Sequence, residues 1–258
     1  MKQNLRPRNA MIGCWITLAS PAVAEAIAHC GFDWLLVDAE HAPNDTGDIA
    51  AQLRAIDAAC ANGASVSVAV RVPVNDATLV KRAMDCGAQT IMFPTIETVE
   101  EAKAAIASMR FPQNGNGGVR GVAGLVRAGR YGLDREYVGN ANQNACAVLQ
   151  IETREGLHNI EEIAALDGAD CLFIGPADLS ASLGHLGQAD HPEVQNAIAH
   201  ILQVCTQAGK AAGIFAASVE DAARYRDIGF SLISLHSDVA WLTRGAMHAL
   251  TDYNKGKQ

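Results

Sequence analysis

The 258-residue chain is 49% hydrophobic and contains 23 glycines, so it is long enough to form one large domain with a complete core. Its formal net charge of -8 disfavours nucleic acid or an anionic membrane surface as a partner, and no uncharged apolar stretch is long enough to span a bilayer. The seven cysteines lie mostly in apolar runs without Cys-x-x-Cys spacing, which predicts a reducing, cytoplasmic compartment.

The chain begins with basic residues and a short apolar run, a combination that also occurs in signal peptides. This run contains Gly13 and Trp15 and continues directly into an alternating apolar pattern, which is typical of a strand. We therefore interpret it as the first strand of the fold.

Runs rich in Val, Ile and Leu alternate eight times with alanine-rich segments of helical periodicity. The predicted strands are Ile12–Leu18, Trp34–Asp38, Ser67–Val72, Thr90–Pro94, Ala147–Ile151, Cys171–Ile174, Ala211–Ala216 and Leu232–Leu235. The predicted helices are Pro21–His29, Thr46–Ala61, Asp76–Cys86, Val99–Met109, Glu155–Leu166, Pro192–Ala208, Val219–Ile228 and Ser237–Leu250. Near-continuous apolar strands separated by helices indicate a parallel sheet covered on both faces. Eight such units in this length predict an α/β fold, a single (β/α)₈ TIM barrel over residues 1–258.

One interval, from Phe111 to Asn144, is far longer than a usual connection and is rich in Gly, Asn and Arg. We predict an insertion on the active rim of the barrel at about 111–144, either a functional loop or a mobile segment. Its glycines, with Arg120, Arg127 and Arg130, are candidates for an anion cradle. A solvated, flexible loop is an equally good explanation.

Two acidic residues follow neighbouring strands, Glu152 directly and Asp178 just past Gly175 and Pro176. Ligands of parallel α/β folds bind at the carboxyl ends of the strands, so both acids can share one site. Facing carboxylates repel unless a cation lies between them, and oxygen ligands suit Mg²⁺ or Mn²⁺. The spacing therefore suggests a divalent metal site, with ordinary helix capping as the open alternative.

The segment VDAEHAP places Asp38, Glu40 and His41 at the end of the second strand. A histidine there is a candidate general base, although it is equally compatible with a histidine hydrogen-bonded to its own acidic neighbours. Arg71 ends the apolar third strand, and because a buried guanidinium needs a partner, we expect a carboxylate or an anionic ligand beside it.

Gln150 lies two positions before Glu152 and therefore shares its side-chain direction on an ideal strand. Asp85, in the helix after the third strand, is by itself compatible with a plain solvated position.

Lysines occur only at positions 2, 81, 103, 210, 255 and 257, and none follows a strand at the predicted active rim. A Schiff-base mechanism therefore lacks its nucleophile, and no Ser or Cys lies in an evident elbow motif. A metal electrophile, a histidine base and an arginine clamp remain. This set suits making and breaking an enolate.

The segments GFDWLLVDAEHAPND, VRVPVND, LQIETREG, FIGPADLS and HPEVQ resemble those of the HpcH/HpaI aldolase/citrate lyase family, which includes 4-hydroxy-2-oxoheptanedioate aldolase. The resemblance extends from Gly13 to about Leu250. It implies a TIM barrel of the phosphoenolpyruvate/pyruvate type. It also implies a class II aldolase that reversibly cleaves 4-hydroxy-2-oxo acids to pyruvate, or hydroxypyruvate, and an aldehyde.

The resemblance further implies a divalent ion (Mg²⁺, Mn²⁺ or Co²⁺) on Glu152 and Asp178, and no organic cofactor. It implies a homohexamer built as a trimer of dimers, with active sites at subunit boundaries. The implied substrate-binding residues are Trp15, Gln150, Gly175, Pro176, Ala177 and Asp178. Ala177 would act through its backbone N–H near a helix start.

The implied catalytic residues are His41, Arg71, Asp85 and Asp38. In this scheme His41 is the acid/base, Asp85 raises its basicity, Asp38 is a polar neighbour and Arg71 stabilises the transition state.

Two features depart from the family pattern. NGNGG, before Val119, lengthens a loop, and His236 stands where a small residue is more usual. The alternative for His236 is that it is only a bulkier side chain on the surface. Both departures bear on which aldehyde is accepted. The competing hypotheses are a thioester lyase of the citrate lyase β-like or malyl-CoA lyase type and a non-catalytic barrel that binds a 2-oxo acid.

Overall fold

Eight parallel strands form a closed barrel in chain order, β1 to β8, in the computed structural model of the protein, which describes residues 1–5, 9–115 and 117–255. The strands are β1 Met11–Ile16, β2 Trp34–Asp38, β3 Ser67–Arg71, β4 Thr90–Phe93, β5 Cys146–Ile151, β6 Ala169–Ile174, β7 Ala211–Ala216 and β8 Leu232–Ser237. The predicted TIM barrel and all eight predicted strands are confirmed, with bounds that differ by at most two residues.

The helices are α1 Pro21–Ala28, α2 Thr46–Ala61, α3 Ala77–Asp85, α4 Val99–Met109, α5 Tyr137–Asn144, α6 Arg154–His158, α7 Ile160–Ala164, α8 Pro176–Ser182, α9 Pro192–Gln207, α10 Val219–Ile228 and α11 Asp238–Lys255. A 3₁₀ segment, Arg127–Gly132, precedes α5. The predicted helix over 155–166 is instead two helices. They meet at Asn159, which leaves the helical conformation while its side-chain amide donates to the carbonyl of Glu97 (2.8 Å).

The barrel interior is filled by large side chains, among them Trp34, Met92 and Phe173. A second and larger apolar cluster lies between the strands and the helices. The interior leaves so little room that a Cβ on Gly13 would lie 2.2 Å from the Trp34 ring. A Cβ on Gly213 would lie 2.4 Å from Phe173. The lower barrel is therefore a packed core, and only its C-terminal end is open to polar side chains.

The segment 111–144 connects α4 to β5, and this connection lies at the N-terminal ends of the strands. The backbone N–H of Phe111 donates to the side chain of Asn142 (2.7 Å), whose amide returns a bond to the Phe111 carbonyl (3.0 Å). With the N-terminal residues, the segment borders a cavity of about 990 Å³ that also includes Thr90, the first residue of β4. The predicted position on the active rim is therefore wrong within one chain, because loops that follow helices return to the opposite end of a barrel. Asn116, in the NGNGG stretch, lies outside the described residues.

Among the helices in the described part of the chain, none has both the length and the hydropathy that crossing a membrane requires.

Candidate functional site

A polar layer closes the C-terminal end of the barrel above the apolar interior. Along β2, β3 and β5 every second side chain points inward, so that Leu36, Ala69 and Val148 fill the interior. Two residues further along each chain come Asp38, Arg71 and Gln150. Asp38 pairs with Arg71 in the strand register, which brings the two side chains together.

Arg71 is the centre of this layer and is almost fully buried. Its Nε and Nη2 donate to the two oxygens of Asp38, both at 2.8 Å, and its Nη1 lies 2.6 Å from Glu40 Oε2. The guanidinium also stacks over Trp15, 4.2 Å from the ring centroid. The expectation of a carboxylate beside Arg71 is confirmed. The bidentate pair fixes the plane of the guanidinium and directs Nη1 toward the barrel mouth.

Gln150 connects Arg71 to the first candidate metal ligand. Its Oε1 lies 3.5 Å from Arg71 Nη1, and its Nε2 donates to Glu152 Oε2 (2.8 Å). The other oxygen of Glu152, Oε1, accepts from both the backbone N–H (2.9 Å) and the hydroxyl (3.1 Å) of Thr95. Sequence reasoning did not find Thr95, because its role depends on a backbone conformation that the sequence does not announce.

Glu152 is not a helix cap. Helix α6 is capped by Thr153, whose hydroxyl accepts from the N–H of Gly156 (3.1 Å). Glu152 is only 5% exposed, and this burial raises the pKa of its carboxyl group, as does the nearby charge of Asp178. A buried carboxylate that is not needed for capping is a candidate ligand for a cation.

Asp178 lies in the first turn of α8 and faces Glu152 across Gly175. A Cβ on Gly175 would lie 2.7 Å from Glu152 Oε2 and 3.5 Å from Asp178 Oδ2. The two carboxylates therefore border one small space, which exists because residue 175 has no side chain. Two converging carboxylates, one of them desolvated, fit a hard divalent cation.

Glu40 and His41 follow β2 at the rim. Burial raises the pKa of Glu40, which also contacts Arg71. The His41 side chain is 71% exposed, and its Nε2 is 4.0 Å from Glu40 Oε1, too far for a hydrogen bond. Glu40 therefore does not hold the imidazole, which is accessible to a substrate.

Asp85 is not near His41 within one chain. It ends α3, five positions before the first residue of β4, and so lies at the N-terminal end of the barrel. There its carboxylate accepts from Arg120 (2.7 Å), which also donates to the Tyr137 hydroxyl (2.8 Å). The expected contact of Asp85 with His41 is therefore wrong for the single chain, because the helix carries Asp85 away from the rim.

Two arginines of the proposed anion cradle already have acidic partners. Arg120 bonds Asp85, and Arg127 bonds Asp57 and the Cys86 carbonyl (2.6 Å to the latter). Two of the three arginines proposed to bind an anion are therefore already neutralised by carboxylates of the same chain.

The expected substrate-binding residues of α8 lie beside the carboxylates. Pro176 is buried and Ala177 is exposed. The N–H of Leu179 bonds to the carbonyl of Gly175 (2.9 Å). The N–H groups before Leu179 belong to the first turn, which lacks partners within a helix. Ala177 can therefore offer its backbone N–H to a ligand.

His236 is not a surface side chain. It is 8% exposed, has φ +57°, and its Nε2 pairs with Arg244 Nη1 (2.6 Å). Burial and the charge of Arg244 lower the pKa of the imidazole. Its ring lies edge-on to Phe215, which in turn contacts Trp15. His236 therefore extends the aromatic wall of the mouth, and sequence reasoning missed Phe215 as part of that wall.

A second cluster of metal-type side chains, His185, His191 and Glu193, lies around the N-terminus of α9. His185 Nε2 bonds Glu193 (2.8 Å), and His191 Nδ1 accepts from the Glu193 backbone N–H. The two rings stack 3.5 Å apart with 17° between their planes. Because the lone pairs of the stacked rings lie in nearly parallel planes, they do not converge on one ion. The cluster instead stabilises the N-terminus of α9, which His191 caps.

Comparisons with known proteins identify the family and the relatives that this chain resembles. Residues 11–244 match the family model HpcH/HpaI aldolase/citrate lyase. A hydroxypyruvate/pyruvate aldolase of Paraburkholderia phytofirmans is 50% identical over 253 residues, covering 98% of this chain and 96% of that one. A 5-keto-4-deoxy-D-glucarate aldolase of Shigella boydii serotype 18 is 41% identical over 251 residues, with coverages of 97% and 94%. The crystal structure of an HpcH/HpaI aldolase/citrate lyase family protein from Burkholderia cenocepacia J2315 has a TM-score of 0.95 at 48% identity and covers 98% of both chains.

Proposed function

Because the chain belongs to the HpcH/HpaI aldolase/citrate lyase family, we propose that Glu152 and Asp178 bind the divalent ion of a class II pyruvate aldolase. The protein is a carbon–carbon lyase that performs retro-aldol cleavage, yielding pyruvate or hydroxypyruvate and an aldehyde. The assignment of the ion-binding pair is carried by one observation. The Glu152 and Asp178 oxygens converge on the space that Gly175 leaves open.

Mg²⁺, Mn²⁺ or Co²⁺ at these carboxylates would supply a Lewis acid that polarises the ketone of a 2-oxo acid. In the described part of the chain, none of the lysines lies at the C-terminal end of a strand. An electrophile other than a lysine Schiff base is therefore needed for the cleavage. The backbone N–H of Ala177 and the side chain of Gln150 would orient the 2-oxo acid beside the ion.

Arg71 would stabilise the oxygen that becomes negative during cleavage. Its guanidinium is fixed by Asp38, and Nη1 is the group that faces the mouth toward Glu40 and Gln150. A preorganised cation in a desolvated site stabilises developing charge without first reorganising solvent.

His41 would remove the proton of the 4-hydroxyl group. The C3–C4 bond then breaks, the aldehyde leaves, and the electron pair remains on the 2-oxo acid fragment. Protonation of this fragment at C3 gives pyruvate, or hydroxypyruvate when C3 carries a hydroxyl group. The imidazole is exposed and Glu40 does not hold it, so it would be available to accept that proton.

Asp85 would act on His41 only between two copies of the chain, as expected for a homo-oligomer with sites at subunit boundaries. Asp85 lies next to the 111–144 segment, which exposes apolar side chains: Val119, Val122, Leu125 and Leu133. Exposed apolar side chains of this number are typical of a surface that another protein covers. We propose that the hexamer brings this end of one barrel against the active rim of another.

We also propose that the protein works in the cytoplasm, consistent with its seven free cysteines.

Pyruvate release from a keto-deoxy sugar acid tests the proposal. Activity should disappear with EDTA, return with Mn²⁺, Mg²⁺ or Co²⁺, and be indifferent to coenzyme A. Borohydride with pyruvate should leave the protein unlabelled. Asp178→Ala should abolish metal-dependent turnover, whereas Asp167→Ala, at a fully exposed aspartate, should not. Wild-type turnover by the Asp178 variant would refute the ion site, and a requirement for coenzyme A would favour a thioester lyase.

A further inference from the structure

Thr95 has an unusual backbone for its residue type. It follows Pro94 after β4 and has φ +49°, in the left-handed region. Five other non-glycine residues in the described part of the chain share a positive φ, but Thr95 alone is β-branched. A β-branched side chain is a genuine outlier there, and such strain persists only when the surrounding structure imposes it.

The strained conformation aims two donors of one residue at one atom. Both the N–H and the hydroxyl of Thr95 bond Glu152 Oε1, at 2.9 and 3.1 Å. The next residue, Ile96, donates its N–H to the carbonyl of Gln150 (3.1 Å), which fastens the segment to β5. With Gln150 Nε2 on Oε2, the carboxylate is held from both sides in one orientation.

We propose that Thr95 is a positioning residue that holds Glu152 in the orientation required to bind the divalent ion. The inference rests on the proposed function, since it takes Glu152 as a ligand. Fixing Oε1 from one side leaves the carboxylate no freedom to rotate away from Asp178. Residues that orient a metal ligand in this way typically contribute 10- to 100-fold, as an order of magnitude, to metal affinity.

The test measures the binding of Mn²⁺ to the EDTA-treated protein in the absence of substrate. The EPR signal of free Mn²⁺ reports how much of the ion is bound. Thr95→Val keeps the shape, the N–H and the β-branch but loses the hydroxyl, and it should raise the Mn²⁺ Kd about 10-fold or more. Thr95→Ser keeps the hydroxyl and should stay within about twofold of wild type. The matched control is Thr98→Val, which removes the cap of α4. It should lower Tm without changing the Kd.

Thr95→Gly separates positioning from simple structural support. Glycine relieves the strain at φ +49°, so Tm should stay equal or rise while Mn²⁺ binding weakens. A wild-type Kd for Thr95→Val would overturn the inference. The inference would also be overturned if Thr95→Val and Thr98→Val lost Mn²⁺ affinity equally, or if Thr95→Gly lowered both the Tm and the Mn²⁺ affinity. Asp178→Ala separates the two levels. If it binds Mn²⁺ like wild type, the ion site itself fails; if it loses binding while Thr95→Val does not, only the role of Thr95 fails.

Discussion

Asp38→Asn tests whether the Asp38–Arg71 pair holds the barrel mouth together. The substitution keeps the size of the side chain but removes the charge that accepts two bonds of 2.8 Å from Arg71. Asp38 is 1% exposed and Arg71 is 4% exposed, so water cannot replace the lost partner. Glu40 remains 2.6 Å from Nη1 and keeps part of the compensation.

Breaking a buried ion pair by removing one partner costs about 3–5 kcal/mol, and the remaining Glu40 contact places the expected loss near the lower figure, about 3 kcal/mol. For a chain of this size each kcal/mol lowers Tm by about 2–4 °C, so we expect a fall of about 6–12 °C. Because Arg71 also loses its fixed plane, kcat should fall about 10²- to 10³-fold, with a smaller change in KM.

Thermal unfolding and steady-state pyruvate release measure the two effects. The matched control is Asp57→Asn, which removes the carboxylate partner of Arg127 where the aspartate is 67% exposed. A surface pair contributes about 0–1 kcal/mol, so this control should change Tm by no more than about 4 °C and leave kcat unchanged. If Asp38→Asn has the same Tm and kcat as Asp57→Asn, Asp38 does not hold Arg71 in solution and the assigned role of Arg71 is wrong.

Two further predictions concern Glu152 and the subunit boundary. Burial raises the pKa of Glu152 above its usual 4.5, so without metal the folded state keeps a proton that the unfolded state loses, and stability from this group falls as pH rises through that window. At pH 8 the Tm of metal-free Glu152→Gln should therefore be a few degrees above that of metal-free wild type, at about 2–4 °C for each kcal/mol. Near pH 4 the two Tm values should be equal. A lower Tm for the variant at pH 8 would contradict this prediction. For the boundary, we expect His41→Ala and Asp85→Asn each to be impaired, and a refolded equal mixture to regain about one quarter of wild-type activity, since that share of sites pairs an intact His41 with an intact Asp85 of another copy. No regain would mean that Asp85 acts within its own chain or not at all.

The barrel was predictable from the sequence because each strand is a short apolar run bounded by polar residues. Several helices also carry their own start signal, such as the capping box of Asp45 and Asp48. The positions of the polar side chains at the rim were predictable for the same reason. Once the strands are known, alternation places Asp38, Arg71 and Gln150 on one layer. Asn159 shows the limit of this reasoning, because the break between α6 and α7 depends on a bond to Glu97 in another loop.

Asp85 and the 111–144 segment illustrate a different limit. Asp85 was assigned to the site by resemblance, and the 111–144 segment was assigned to the rim from its length and composition, whereas the path of one chain places both at the opposite end of the barrel. Sequence similarity records which residues take part in a site, but it does not record which copy of the chain contributes them. Thr95 was missed for yet another reason. Its contribution depends on a left-handed backbone, for which threonine is an unfavourable residue.

The charges of the barrel mouth support the proposed cation site. Asp38, Glu40, Glu152 and Asp178 bring four carboxylates together, and Arg71 is the guanidinium among them, bonded to Asp38 and Glu40. Glu152 receives only neutral donors, from Thr95 and Gln150, and both Glu40 and Glu152 have raised pKa values because burial penalises their charge. A divalent cation would offset the excess negative charge at the point where it is least compensated, between Glu152 and Asp178. In the proposed site, a bound ion would reduce the repulsion between these carboxylates, and that gain would favour ion binding.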